Sequence, residues 1–245
     1  MSEAIALPTR RDEDFRYADL AALEPLWPVA VETIAVAAGD SGNLALVLDG
    51  TEAVARELVI VLGDGASFDL RVLNAPGAYG RIAVQVELGK GAEFTLGAAQ
   101  LAGGEQVVEI VTDVLHAQPD AVSRQVVRSV AGGKATANYL GKVRVAKGAD
   151  GTDGEQSVRA MLLDRTATAN ARPELEIFAD DVKCAHGCAV GELDANGLFY
   201  MAQRGLPPAE AKKLMLQAFV AEAFTGAPDE DRLLDAALAA LGRLV

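Results

Sequence analysis

One octapeptide pattern occurs twice in this chain, and the repetition constrains the fold more than any other feature. Residues 63–70 (GDGASFDL) return as residues 89–96 (GKGAEFTL), 26 positions later. Repetition at about 20–30 residues with strand content is typical of a solenoid, in which each turn of chain buries its inner face on the next. The sequence therefore predicts a stack of β-coils.

The residues around the repeat also have a β pattern, with glycine-containing turns between apolar stretches. No convincing helix interrupts residues 29–190, which argues against a doubly wound α/β sheet, because its parallel strands need helical crossovers. A β-sandwich made of hairpins is the structural alternative. Further strands are predicted at residues 44–48, 57–62, 106–114, 121–130, 135–145, 157–169 and 174–182.

The composition fits a regular interior with small side chains. The chain has 245 residues, 51% of them hydrophobic but only 5% aromatic, and it is long enough to bury a sizeable core. We expect three regions: an N-terminal helical segment at 1–28, a β-helix core at 29–193 and a C-terminal helical subdomain at 194–245.

Helix signals are confined to the two ends of the chain. A short helix is expected to end near Leu23, before Pro25 and Pro28, and Asp194 is placed to cap another that closes at Gly205. Two more helices follow, at about 207–222 and 228–244. Their predicted apolar stripes, which face either the core or a partner groove, comprise Ala211, Leu214, Met215, Ala218 and Phe219, and Leu233, Leu234, Ala237, Leu238 and Leu241.

Charge and targeting signals exclude several classes of partner. A formal net charge of −13 repels nucleic acid and anionic membranes. No apolar run approaches the roughly 20 residues of a membrane span, and the opening residues Met1, Ser2 and Glu3 do not resemble a secretory leader. The two cysteines, four positions apart, make a poor disulfide framework, so free thiols in the cytoplasm are expected.

The soft metal ligands are concentrated in one short window. Cys184, His186 and Cys188 alternate with other residues, so on an extended strand they project on one face, about 6.5–7 Å apart. That spacing is long for three ligands closing on one ion at roughly 2.0–2.3 Å, although Gly187 could bend the strand. A metal site here needs ligands from elsewhere, and a site shared with a second chain is the natural solution.

Other polar groups support weaker hypotheses. His116 is expected to be a loop or strand-edge residue, and Asp180 and Asp181 to be solvated carboxylates. A glycine-rich turn holds carboxylates that resemble a calcium loop only loosely, and we expect a plain turn there. A calcium site would favour a β-helical carbohydrate-active enzyme, a lyase or esterase; the carboxylates in question are Asp150, Asp153 and Glu155.

The ordered motifs of the C-terminal third resemble the SufB/SufD family of iron–sulfur cluster assembly proteins, and its SufD branch more than SufB. A second match lies near the N-terminus, although the family usually has Trp where Phe15 stands. The matching residues are 183–187 (KCAHG), 190–191 (VG), 198–200 (LFY), 204–205 (RG) and 218–222 (AFVAE), with 7–11 (LPTRR) and 13–17 (EDFRY).

This resemblance implies a right-handed parallel β-helix flanked by helical segments. It also implies pairing with SufB through the two β-helices and docking of the SufC ATPase on the C-terminal helices. By position, His186 matches the histidine implicated at the SufB–SufD interface, and Cys184 matches the thiol two residues before it. Cys188 stands where the family usually has a small non-thiol residue, and the chain is shorter than most members.

The resulting hypothesis is a non-catalytic scaffold. His186, with Cys184 and with Cys188 as a further metal-ligand candidate, would hold one side of a transient iron–sulfur cluster shared with the partner, with no tightly bound cofactor. The alternatives are a purely structural adaptor, with buried cysteines and a hydrogen-bonded histidine, and the carbohydrate-active enzyme. An isolated chain could also form a homodimer through the unpaired strands at an uncapped end of the β-helix.

Overall fold

The computed structural model describes residues 6–244, so the opening residues on which the leader expectation rests lie outside it. Within that range two parallel sheets alternate along the chain, in the orders β1-β3-β5-β7-β9-β11 and β12-β10-β8-β6-β4-β2. The fold is a parallel β-solenoid of six coils. Its strands are β1 Val31–Val36, β2 Ser41–Leu48, β3 Val54–Leu62, β4 Ser67–Asn74, β5 Tyr79–Leu88, β6 Glu93–Ala102, β7 Val107–His116, β8 Val122–Ala131, β9 Thr136–Val145, β10 Asp153–Leu162, β11 Thr168–Ile177 and β12 Lys183–Glu192.

The sequence repeat corresponds to two successive coils. Phe68 pairs with Phe94 and Leu70 with Leu96 in the β4–β6 register, an offset of 26 residues. Both copies end their turn with a glycine in the left-handed region, at φ 65° for Gly65 and 62° for Gly91, where a side chain would be strained. All the strand pairs of the two sheets are parallel, which rules out the hairpin sandwich.

Some strand boundaries differ from the predicted ones. The segments predicted at 157–169 and 174–182 each run out of a strand into the turn that follows it, because the strands are Asp153–Leu162 and Thr168–Ile177. Each of these turns begins with an apolar residue, Leu163 or Phe178, so hydrophobic alternation alone does not mark where hydrogen bonding between coils stops. The strands Val31–Val36 and Tyr79–Leu88 lie within the region with a β pattern, but neither is among the individual strands predicted.

The three C-terminal helices are α2 Ala195–Gln203, α3 Pro208–Ala221 and α4 Glu230–Leu241. Helices α3 and α4 cover the outer face of the second sheet, and α2 packs against α3. As predicted, Asp194 caps α2, accepting hydrogen bonds from the backbone N–H groups of Asn196 and Gly197. The helices and sheet form one apolar cluster, which includes Leu73, Leu101, Leu216, Val220, Phe224, Leu233 and Ala237.

The predicted apolar stripe of α3 is wrong in part. Ala211 is buried as expected, and Met215 and Phe219 are partly buried. Leu214 is 46% exposed, Ala218 is exposed too, and the other buried positions are Leu216 and Val220. The helix carries apolar residues on two sides, and the sheet covers only the side that continues into Phe224. Leu214 is therefore left on the surface of the helical subdomain.

The N-terminal segment crosses the outer face of the first sheet. It contains the short helix α1 Leu20–Leu23, with 3₁₀ turns at Glu13–Phe15 and Glu24–Leu26. A buried ion pair between Arg81 and Glu109 (2.6 Å) holds it, since Arg81 also donates to the carbonyl of Asp14 and Glu109 accepts from the backbone N–H of Asp19. We call these contacts the N-terminal clip.

Among the helices of residues 6–244, none is long and apolar enough to cross a membrane.

Candidate functional site

The alternation of side chains on β10 defines which direction is inward at the last coils. Gly154, Gln156 and Val158 are buried, whereas the alternate residues Glu155 and Arg159 are exposed and Ser157 is partly buried. Successive side chains of a strand point to opposite faces. The even-numbered positions of β10 therefore face the interior of the solenoid.

The ligand window occupies the corresponding inward positions of the last strand. In the parallel register of β10 and β12, Cys184 stands beside Gly154, His186 beside Gln156, and Cys188 beside Val158. We call Cys184, His186 and Cys188 the terminal row. The three side chains share one face, as the sequence pattern predicted, and that face continues the inner wall of the β-solenoid.

The terminal row lies at the open end of the solenoid. Strand β12 is the edge of its sheet, with no further strand paired to it within the part of the chain that the structure describes. His186 and Cys188 are exposed and Cys184 is partly buried. The equivalent positions of β4, β6, β8 and β10 are buried, and they are accessible in β12 because no later coil among residues 6–244 covers them.

Both thiols of the terminal row are shifted toward their protonated forms. Burial raises the pKa of Cys184, against a smaller lowering by a hydrogen bond from the Gly154 backbone, and the charge of Asp153 raises it further. Partial burial also raises the pKa of Cys188, whose thiol lies 4.0 Å from the carbonyl oxygen of Ala171. A cation at this row would favour the thiolate by adding the opposite charge.

The terminal row does not close around one ion by itself. Over residues 6–244, no group of three His, Cys, Asp or Glu side chains has the geometry to hold a metal. This agrees with the 6.5–7 Å that separates alternate residues along a strand. The arrangement presents separate soft ligands along an edge.

A buried polar cluster lies inside the solenoid, behind the terminal row. The Tyr139 hydroxyl donates to Gln125 Oε1 (3.3 Å), which also accepts from Thr112 (3.1 Å), and Gln156 Nε2 donates to the Tyr139 oxygen (3.2 Å). Burial raises the pKa of Tyr139 to about 12, so the phenol keeps its proton. No sequence motif marks this cluster, because Gln125 and Gln156 become neighbours only through the register of β8 and β10.

The other histidine is also inside the solenoid. His116 ends β7 and is fully buried, with Nε2 2.8 Å from the hydroxyl of Ser123. The expectation of a loop or strand-edge residue is wrong, because His116 is the last residue of an interior strand of its sheet and follows Ile110 and Val114 in the inward alternation of β7. Burial lowers the pKa of His116 to about 4.

The buried neutral His116 makes stability depend on pH. Its pKa of about 4 lies below the roughly 6.5 of an unfolded histidine, so between these values only the unfolded chain gains the proton. Stability therefore falls as pH drops from about 6.5 to 4. In urea titrations, lowering the pH from 7.5 to 4.5 should destabilise the wild type by about 2–3 kcal/mol more than His116→Gln. Parallel profiles for the two proteins would refute this assignment.

Two of the three carboxylates considered for a calcium site pair with an arginine instead. Asp153 forms an ion pair with Arg124 at 2.7 Å, and Glu155 lies 3.8 Å from the same guanidinium. The Arg124 hydrogen bond holds the pKa of Asp153 below its usual range, and Asp150 is exposed in the turn. Asp180 and Asp181 are exposed too, in the turn that leads into β12.

Most of the chain, including the terminal row, matches a known protein family. The family model described as "SUF system FeS cluster assembly, SufBD core domain" matches residues 47–219, which includes strands β3–β12, the terminal row and most of α3. The chain belongs to the SufB/SufD family. Membership places it among proteins of iron–sulfur cluster assembly and confirms the resemblance carried by its C-terminal motifs.

Several curated proteins are similar to this chain. The iron–sulfur cluster assembly protein SufD of Escherichia coli is 34% identical over 138 residues, which are 56% of this chain and 32% of that protein. Protein ABCI7, chloroplastic, of Arabidopsis thaliana is 32% identical over 168 residues, 68% of this chain and 35% of its own length. SufD of Bacillus subtilis is 30% identical over 127 residues, 52% and 29%. Each alignment thus spans about a third of the length of the curated protein that it matches.

Proposed function

We propose that this chain is a SufD-like component of a SUF scaffold, in which His186 and Cys184 hold one side of an iron–sulfur cluster during assembly. The observation that supports it most is the position of the terminal row. Its members are inward-facing residues that the open last coil leaves accessible, on an edge strand with an unpaired side. A second chain seated there could complete both the coil and the ligand set.

The chemistry of the terminal row suits temporary binding. Thiolate and neutral imidazole are ligands of iron–sulfur clusters, and a cluster held by few protein ligands from each chain is easier to release than one enclosed by four. Cys188, four residues from Cys184, is an additional ligand candidate whose sulfur is exposed. The chain supplies ligands and a surface in this proposal, and it catalyses no reaction itself.

The partner in the proposal is SufB, seated on the open end of the solenoid. Unpaired strand edges favour the addition of a strand from another chain, and β11 and β12 are the edges of their sheets. Apolar side chains are exposed at the same end, with Ile177 at 39%, Phe178 at 68% and Val190 at 46%. The same surface would support a homodimer in the absence of SufB.

The SufC ATPase is proposed to dock on the C-terminal helical subdomain. Phe199 (66% exposed), Tyr200 (58%) and Leu214 (46%) form the large exposed apolar side chains of α2 and α3. The guanidinium of Arg204 lies 4.7 Å from the centre of the Tyr200 ring. Exposed aromatic residues of this kind are typical of protein interfaces, and ATP-driven movement of SufC would change the spacing at the cluster seam.

Anaerobic reconstitution tests the proposed role of the terminal row. The chain is mixed with SufB and SufC, supplied with iron and sulfide, and followed by visible absorption of the cluster. We expect His186→Ala to lower cluster content strongly and Cys184→Ala to lower it less, because the histidine is the more exposed ligand.

The matched control for that experiment is His116→Gln, which removes the only other histidine and leaves the terminal row intact. It should reconstitute as the wild type does. Normal cluster content in a correctly assembled His186→Ala complex would instead identify the chain as a structural adaptor.

A further inference from the structure

The buried polar cluster ends in an unused hydrogen-bond acceptor next to the terminal row. Gln156 is 1% exposed, and its Oε1 has no hydrogen-bond partner among residues 6–244. A buried acceptor without a partner is unfavourable, because it has lost its hydrogen bonds to water without replacing them. Such a group needs an explanation, and the neighbouring strand supplies one.

The orientation of the Gln156 amide follows from its neighbours. The Tyr139 hydroxyl donates to Gln125 Oε1 at 3.3 Å, also lies 3.1 Å from the Thr112 hydroxyl, and accepts from Gln156 Nε2 at 3.2 Å. Oε1 is therefore the atom left over. It belongs to the residue that pairs with His186 in the β10–β12 register, on the same inward face and one strand spacing of about 4.8 Å away.

We propose that Gln156 is a positioning residue for His186, accepting a hydrogen bond from one imidazole N–H through Oε1 and so directing the other nitrogen to iron. Forming the bond requires a rotation of the exposed His186 side chain, a motion that occurs within picoseconds to nanoseconds. The inference rests on the proposed function for its consequence, because a fixed tautomer matters only if the ring is a ligand.

A fixed tautomer has a definite chemical effect. In neutral imidazole one nitrogen carries the proton and the other carries the lone pair that binds a metal. Partners that hold the N–H of a ligating histidine orient the ring, and removing them typically weakens metal binding by about 10–100-fold. Gln156 would play this part from inside the solenoid, with Tyr139 holding its amide in place.

The test is the tautomer ratio of His186, read from imidazole nitrogen shifts in the full chain labelled with ¹⁵N-histidine at alkaline pH. With two histidines in the chain, the His186 signals are identified by their loss in His186→Ala. We expect a ratio in the wild type that differs from that of the free peptide Ala-His-Gly. Gln156→Met should return it to the peptide value.

Gln125→Met is the matched control, because it disturbs the same Tyr139 hydrogen bonds one coil deeper and does not adjoin His186. It should keep the wild-type ratio. A wild-type ratio equal to that of the peptide would overturn the proposal, and this comparison needs no variant to fold. Failure of the proposed function appears separately, as normal reconstitution of His186→Ala with the tautomer shift still present.

Discussion

Replacing Glu109 with glutamine is expected to destabilise the folded chain by about 3–5 kcal/mol, the usual cost of removing one partner of a buried ion pair. Glu109 is 1% exposed and Arg81 is 4% exposed. The substitution leaves the Arg81 charge uncompensated, and it places an NH₂ group against either that guanidinium or the backbone N–H of Asp19. Urea titration measures the loss.

The N-terminal clip should open in the same variant. The Arg81 guanidinium also lies 4.2 Å from the centre of the Phe15 ring. Displacement of Arg81 therefore removes this ring contact together with the hydrogen bond to the carbonyl of Asp14. Faster tryptic cleavage at the exposed Arg16 would report this opening.

The surface ion pair Arg56–Glu32 offers a matched control. It has similar two-point geometry, at 2.6 and 2.7 Å, but its side chains are 32% and 44% exposed. Glu32→Gln should cost less than about 1 kcal/mol. If Glu32→Gln and Glu109→Gln were equally destabilising, burial would not be the reason for the strength of the clip.

Replacing Gly97 with alanine is expected to displace the C-terminal helices from the sheet. A methyl group at Gly97 would overlap the carbonyl oxygen of Ala223 and approach the Arg71 guanidinium, which donates to that same carbonyl at 2.9 Å. Moving the Gly97 and Ala223 backbones apart would open the apolar contact between the helices and the sheet. We expect a loss on the order of 3 kcal/mol, with faster amide exchange in α3.

Gly50→Ala controls for the loss of glycine itself. Gly50 lies in a turn after β2, and a methyl group there would meet nothing within 4 Å. The stability of the Gly50→Ala variant should match that of the wild type or exceed it slightly. An unchanged unfolding midpoint for Gly97→Ala would show that the helices rest on the sheet less closely than the structure indicates.

The first coils of the fold could be predicted because they have equal length. The offset between neighbouring strands of the second sheet is 26 residues from Ser41 to Ser67 and again from Ser67 to Glu93. It then becomes 29 at Val122 and 31 at Asp153. Changes in turn length hide the later repeats from any search at a fixed period, although the inward alternation continues.

Long-range polar contacts could not be predicted in the same way. Arg81 and Glu109 look like ordinary outward-facing charges of alternating strands, and only the segment laid over them makes them buried. The terminal row was found because three soft ligands at alternate positions are rare and chemically specific. Gln156 was missed because its importance depends on pairing with His186, 30 residues later.

The most direct test of the account asks whether His186 is bound to iron. The complex is assembled with ¹⁵N-histidine in this chain alone, reconstituted and reduced, and the ¹⁵N hyperfine couplings of its paramagnetic cluster are measured. If His186 is a ligand, one histidine nitrogen is strongly coupled to the cluster, and this coupling is retained in His116→Gln and lost in His186→Ala. A fully formed cluster without such a coupling, or one whose coupling survives in His186→Ala, would contradict it.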